Sequence, residues 1–297
     1  MKETREFAMK ATKEFAIEET REFTIKEVKE LKEYEDYLIQ KELSDGTIEI
    51  YKRQAAILLA YLDGRRITKK EMIAYKNYLL EQNRKVSTTN LHIVAANSYL
   101  KYAGYEDCVI RTNRVQKNRC LENVINMEEY RRLLFYAKES GRLKYYYIIK
   151  VLAFTGMRVS ELSFLTVEVL APGRFTVGSK GKTRDVYLSA GLTEELSAYC
   201  REAKIESGVI FVGKGGNPIS RIAVYKMLIH LADMTGVEKK KAHPHSFRHL
   251  FAVTYMNQYA NLTELADLLG HSSLETTRIY TTTTAEEKRK RLDGLGF

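Results

Sequence analysis

Cysteine is scarce in this chain of 297 residues: there are three, Cys108, Cys120 and Cys200, widely spaced and odd in number. They make no CxxC pair and no metal-ligand pattern, which argues against a disulfide-stapled scaffold and implies a reduced, cytoplasmic protein. Proline is as rare, at Pro172, Pro218 and Pro244, as suits a mostly helical chain. A long apolar run is also missing. The start MKETREFAMK has no apolar signal core, and the run YYYIIKVLAF is broken by Lys150, so neither secretion nor membrane insertion is expected. Acidic residues fall short of basic ones, 38 against 48, for a net charge of +10. That excess favours a polyanionic partner, although solubility and acidic protein partners account for such charge as well. What is present is a 44% hydrophobic and 29% charged composition, enough to build a real core in two ordinary domains or one large one.

Three related octapeptides, TREFAMKA, TKEFAIEE and TREFTIKE, begin at Thr4, Thr12 and Thr20. They read as a charged helical extension over residues 1–27. An eight-residue period advances about 80° per repeat, so Phe7, Phe15 and Phe23 do not form a straight stripe. Residues 28–110 are helical by pattern. Four segments, VKELKEYEDYLIQKEL, TIEIYKRQAAILLAYL, KKEMIAYKNYLLEQN and TTNLHIVAANSYLKYAG, repeat apolar residues at helical spacing between turn residues such as Asp63-Gly64. Residues 111–125 carry Arg111, Arg114, Lys117 and Arg119 without a clear apolar period. They read as a basic interdomain linker able to lie along phosphates, or as a plain solvated loop.

From residue 126 to 297 the pattern is a helical domain with a small antiparallel β-sheet inset. Asn126 and Glu129 form a capping box, and the helix through YYYIIKVLAF stops at Gly156. In RFTVGSKGKTRDVYLS, Phe175 and Val177 alternate against Val186 and Leu188 around a polar turn, the pattern of a hairpin. GVIFVGKGG offers a third strand, and the chain then returns to helix.

Three motifs carry chemistry. In TGMRVSEL, Arg158 follows the Gly156 helix stop among apolar neighbours, so it needs an anion; Glu161 and a bound phosphate both qualify. In HPHSFRHLFA, Pro244 suits the first turn of a helix, and His245 and Arg248 at i and i+3 share a face. Arginine offers a bidentate fork and imidazole moves protons near neutral pH, a pairing suited to phosphate, though alone it is more often a surface pair. In LGHSSLETTRIY, Asn261 and Gly270 bound one helix and Ser272 with Glu275 cap the next. These signals hold His271 and Tyr280 at the two ends of a tight unit. Alone, Tyr280 reads as one more packing aromatic among 20 tyrosines.

Together these motifs, with the hairpin lysine of SKGKTRDVYL, resemble the tyrosine recombinases (phage integrases and Xer-type resolvases) in order and spacing. The resemblance extends to the helical module, which is similar to that family's SAM-like core-binding domain. It implies a mainly α, two-domain DNA clamp with a catalytic set of Arg158, Lys180, His245, Arg248, His271 and Tyr280. Lys180 is preferred over Lys182 and over Lys214 because it sits in a hairpin turn about twenty residues after the first arginine. This hairpin departs from the family in having Ser179 where glycine is usual.

The chemistry the resemblance implies is transesterification. The Tyr280 phenol attacks a scissile phosphodiester of double-stranded DNA, forms a 3′-phosphotyrosyl link and releases a 5′-hydroxyl. Arg158 and Arg248 clamp the non-bridging oxygens, each at roughly 3–4 kcal/mol by analogy with oxyanion donors. Lys180 protonates the leaving oxygen, His245 assists at the tyrosine, and His271 bonds the phosphate. No cofactor, metal or ATP is implied. The resemblance further implies an inverted-repeat core site and a homotetramer on two sites, with the tail after Tyr280 exchanged between subunits. A mobile element is the favoured context, with Xer-type dimer resolution, a catalytically silent DNA-binding regulator and a nick-and-reseal enzyme as alternatives.

Overall fold

The computed structural model describes residues 24–82, 85–114, 123–179, 182–271, 273–281 and 293. The octapeptide repeat, most of the basic linker, Lys180 and the tail after Tyr280 lie outside these residues, apart from their margins. The chain divides into two compact units, Met1–Lys117 and Asn118–Phe297.

Among its described residues the first unit has four α-helices: α1 (Ile25–Gln40), α2 (Asp45–Leu62), α3 (Lys69–Glu81) and α4 (Val86–Tyr102). α1 starts with a reciprocal capping box between Thr24 and Glu27, and Thr68 caps α3. α2 ends at Asp63 in the left-handed region, φ 45°. The core is unusually rich in tyrosine: Tyr34, Tyr75 and Tyr99 are fully buried, and Tyr34 packs edge-on against Tyr99 with 5.3 Å between ring centres. Beyond α4 the chain runs back along that helix, held by two asparagines one heptad apart. Asn97 donates to the Ile110 carbonyl at 2.8 Å and accepts from its amide at 2.9 Å. Asn90 does the same for Asn113, at 2.9 and 2.8 Å. Each side-chain amide satisfies both the N–H and the C=O of one residue, so Ile110 and Asn113 are fastened to the helical module.

The second unit opens with α5 (Met127–Glu139) and α6 (Leu143–Thr155), which pack together. The Asn126–Glu129 capping box is formed as the sequence indicates, with the Glu129 amide donating to Asn126 at 2.8 Å. Lys150, the charge inside the apolar run, is satisfied by Glu195 at 2.6 Å. A 3-10 segment, Val159–Phe164, leads to β1 (Arg174–Ser179) and β2 (Lys182–Tyr187), an antiparallel pair in which Phe175 faces Val186 and Ser179 faces Lys182. Four helices follow: α7 (Ala190–Glu202), α8 (Arg221–Thr235), α9 (Pro244–Tyr259) and α10 (Leu262–Leu269). The short α11 (Leu274–Thr277) runs into a 3-10 turn, Arg278–Thr281.

Two details differ from the sequence pattern. GVIFVGKGG does not add a third strand to the two-stranded sheet among the described residues; it makes isolated bridges, Thr166 to Val209 and Val212 to Pro218. Ile210 and Phe211 are both sunk in the core, so the segment serves as a plug that folds back on itself rather than as a ladder. The cap of α11 is Ser273, whose hydroxyl accepts from the Glu275 amide, and not Ser272. With two adjacent serines the composition alone is ambiguous, and the residue next to the helix takes the role because its extended backbone turns the hydroxyl inward. No helix among the described residues is long and apolar enough to cross a membrane.

Candidate active site

α6 ends at Gly156 in the left-handed region, φ 60°, and a Cβ there would lie 2.5 Å from the Phe251 ring. Only glycine fits both constraints, and the turn it makes projects Arg158 from the base of the 3-10 segment. The Arg158 guanidinium pairs with Glu161 at 2.9 Å, and the Glu161 carboxylate also accepts from the Arg158 backbone at 2.7 Å. The sequence raised Glu161 as a partner for this arginine, and the pairing exists. Arg158 nevertheless keeps 38% of its side chain exposed, open to a ligand.

Arg248 is far more enclosed, at 1% exposure on α9. One terminal nitrogen donates to the Gly156 carbonyl at 2.7 Å and the other to the Leu269 carbonyl. Its Nε has no partner among the described residues. Burial, then the nearby Arg158 and Arg184, lower its pKa to about 10.

Arg184, on β2, was not singled out by the sequence. It donates to Glu161 at 2.6 Å and to the Leu268 carbonyl at 2.7 Å. Gly270, φ 62°, makes room for it: a Cβ there would come within 2.3 Å of the Arg184 side chain. Arg184, Arg248 and Arg158 thus donate to three consecutive carbonyls, those of Leu268, Leu269 and Gly270 at 3.3 Å for the last. These are among the carbonyls that the end of α10 leaves without helical partners, at the negative pole of the helix. Three guanidinium groups with the Glu161 carboxylate among them make a net positive cluster, while Asp185, Glu264 and Asp267 stand on the wall of the adjoining cavity.

His271 follows this turn. Its Nδ1 lies 2.8 Å from the hydroxyl of buried Thr277, and burial together with Arg248 and Arg158 lowers its pKa to about 4. An open cavity of about 1170 Å³ is bordered by Arg158, Glu161, Arg184, Gly270 and His271. On α9, Pro244 takes the first turn as the sequence suggests, and His243 caps the helix by accepting from the Ser246 amide at 3.1 Å. His245 is exposed at the helix start, and its ring packs edge-on against that of His249, 4.5 Å between centres. Desolvation, then Arg248, holds His245 below the ordinary histidine value.

Tyr280 is half-buried in the final turn, and burial pushes its pKa up to about 12 against the opposing pull of Arg248. Its hydroxyl lies 2.6 Å from Nδ1 of His249. His249 was missed in the sequence; the available signal was its place in a cluster of four histidines between 243 and 271. Lys180 lies outside the described residues, and of Lys182 only the backbone, at the start of β2, is described.

Comparison with known proteins agrees with this architecture. The model of the phage integrase family matches residues 123–287, and that of the phage integrase N-terminal SAM-like domain matches residues 31–107. The chain is 26% identical over 271 residues to the tyrosine recombinase XerD of Listeria innocua serovar 6a, covering 83% of this chain and 91% of that one. It is 27% identical over 270 residues to the tyrosine recombinase XerA of Pyrococcus furiosus, covering 89% and 92%. The fold is similar to that of the Tn1549 transposon integrase in complex with transposon right end DNA, with a TM-score of 0.70, 15% identity and coverage of 90% and 99%. It is also similar to XerH recombinase bound to its difH substrate, at 0.65, 21%, 84% and 79%.

Proposed function

This chain belongs to the phage integrase family, and we propose that it is a site-specific recombinase that cuts and rejoins double-stranded DNA through a phosphotyrosyl bond at Tyr280. The observation that carries the reading is the turn Leu268–Gly270. Arg158 and Arg248 both bind it, His271 follows it, and Tyr280 lies one short helix further on. Motifs distant in sequence are gathered at a site whose charge suits a phosphodiester.

In this mechanism the scissile phosphate enters beside Arg158 and Arg248, whose guanidinium groups bind its non-bridging oxygens and stabilise the charge that grows on the phosphorane. His271, kept neutral and oriented by Thr277, hydrogen-bonds the phosphate. Tyr280 attacks phosphorus, the bond to the 5′-oxygen breaks, and the 3′-phosphate stays on the tyrosine. Lys180 gives a proton to the departing oxygen, and His245 assists the transfer at the phenol. A phenol with its pKa raised to about 12 is a weak nucleophile at neutral pH. Activation therefore comes from the electrophile side, from the positive field that replaces water around the phosphate. The energy of the broken diester is conserved in the phosphotyrosine, so the 5′-hydroxyl of a second strand can reverse the step.

On this reading the first helical unit also binds the DNA, the basic linker joins it to the second, and four copies act on two inverted-repeat sites through exchange of the C-terminal tail. Such a protein works on DNA in the cytoplasm. The Tn1549 neighbour supports mobile-element integration and excision; the XerD and XerA relatives support dimer resolution as the second reading.

The test begins by selecting duplexes from a randomised library by affinity for the protein, then nicking the recovered sequence near its centre. A denaturing gel should show a covalent protein–DNA band with wild-type protein and none with Tyr280→Phe. Tight, sequence-specific binding without a band would instead identify a silent DNA-binding regulator.

A further inference from the structure

The recombinase set named above leaves the Tyr280 hydroxyl bonded to a residue outside it. His249 stands one turn after His245 on α9, so the two rings leave the same face of the helix. One side of the His249 ring meets His245, and the other meets Tyr280, with ring centres 5.6 Å apart and Nδ1 2.6 Å from the phenol oxygen. This contact ties the long helix that carries Arg248 directly to the 3-10 turn that carries the nucleophile.

We propose that His249 is a positioning residue for the nucleophile: its Nδ1 accepts the phenol hydrogen bond and thereby sets where the attacking oxygen stands. The inference rests on the recombinase reading and deepens it.

The direction of the bond proposed here is from the phenol to Nδ1. Burial first, then the charges of His245, His243, Arg248 and His271, lower the pKa of His249 to about 4. His249 is therefore a neutral imidazole; with the ring proton on Nε2, the proposed tautomer, Nδ1 is the acceptor and the phenol, pushed up to about 12, is the donor. With the imidazole lowered and the phenol raised, the proton stays on the tyrosine. His249 thus holds the hydroxyl in the resting site, and the phenol proton passes to His245, which assists the transfer, only as the bond to phosphorus forms. A held hydroxyl matters here because the tyrosine sits on a short turn, where the ring packs against the cluster of Ala252, Leu265 and Leu269 and His249 fixes its polar end. In reactions of this kind a displacement of about 1 Å costs on the order of a hundredfold in rate.

The experiment compares His249→Leu and His249→Asn on the nicked duplex recovered by selection. Leucine removes the acceptor, whereas the asparagine carbonyl restores one close to the position of Nδ1. Single-turnover formation of the covalent band should fall about a hundredfold in the leucine variant. Duplex affinity should stay near that of wild type, and the asparagine variant should recover most of the rate. A third arm places His249→Leu in a Tyr280→Phe background and supplies hydrogen peroxide as an external nucleophile, so that cleavage no longer depends on the phenol. There the leucine change should have no effect. Should the leucine variant fail to fold by circular dichroism, His249→Gln, whose acceptor is one bond too far out, takes its place. A wild-type rate without the acceptor overturns the inference, as does failure of asparagine to rescue or a parallel loss of peroxide cleavage. Absence of any band with wild-type protein sinks the recombinase reading itself, which separates the two failures.

Discussion

Glu161 is the anion on which the positive site balances, and replacing it with glutamine isolates that balance. The carboxylate is 4% exposed and serves Arg158, Arg184 and the Arg158 backbone at once. The Arg158 side chain is 38% exposed, so its share is screened and contributes about 1 kcal/mol or less. Arg184 is only 9% exposed, and breaking a buried pair from one side costs roughly 3–5 kcal/mol. Glutamine keeps the shape and some of the hydrogen bonding, which places the loss near the lower figure, about 3 kcal/mol. For a unit of this size that corresponds to a fall in Tm of roughly 6–12 °C, read by calorimetry on the transition of the second unit. The charge argument adds a second readout. Glu161→Gln leaves Arg158, Arg184 and Arg248 without their counter-ion, so sulfate should raise the Tm of the variant more than that of wild type. A variant with unchanged Tm, or one that sulfate stabilises no more than wild type, would refute the reasoning.

Gly156→Ala combines left-handed strain with a 2.5 Å clash on Phe251 and should cost about 2–4 kcal/mol in urea unfolding; an unchanged midpoint would show that the turn is not constrained. His249 and His271 have folded pKa values depressed to about 4 from an ordinary 6.5, so the folded state binds fewer protons than the unfolded chain between those values. Their contribution is complete above pH 6.5 and is lost as pH falls toward 4, so Tm should decline across that window and decline less in His271→Asn; equal slopes would contradict the assignment. Asn97→Ala removes two hydrogen bonds to Ile110 and should destabilise the first unit by about 1–2 kcal/mol, seen as faster exchange of the Ile110 amide; unaltered exchange would mean the strap holds without it.

Local signals in the sequence were legible where they act over three or four residues. The Asn126–Glu129 box, the Asn261 cap, the glycine stops at 156 and 270 and the Phe175–Val186 pairing all appear as the pattern indicates, because each is settled by neighbours in the chain. The cap at Ser273 rather than Ser272 shows the limit of that reading, since two adjacent serines satisfy one pattern. Arg184, His249 and Thr277 were not legible as site residues. Arg184 and His249 make their contacts with partners far along the chain, and Thr277 meets His271 only because the turn at Gly270 and the short α11 bring them together, none of which periodicity encodes. The recombinase motifs made Arg158, Arg248, His271 and Tyr280 candidates, and the structure adds the contacts that relate Arg158, Arg248 and His271 through one turn.

That turn has a consequence for which changes the chain can absorb. Leu268, Leu269 and Gly270 receive the three arginines through main-chain oxygens, not through side chains. A substitution such as Leu268→Met leaves every one of those oxygens in place. Deleting or inserting one residue between Ala266 and His271 is a different event: it shifts all three acceptors by one step at once and leaves each arginine facing the wrong carbonyl. Sequence drift through this stretch should therefore be tolerant in letter and intolerant in length.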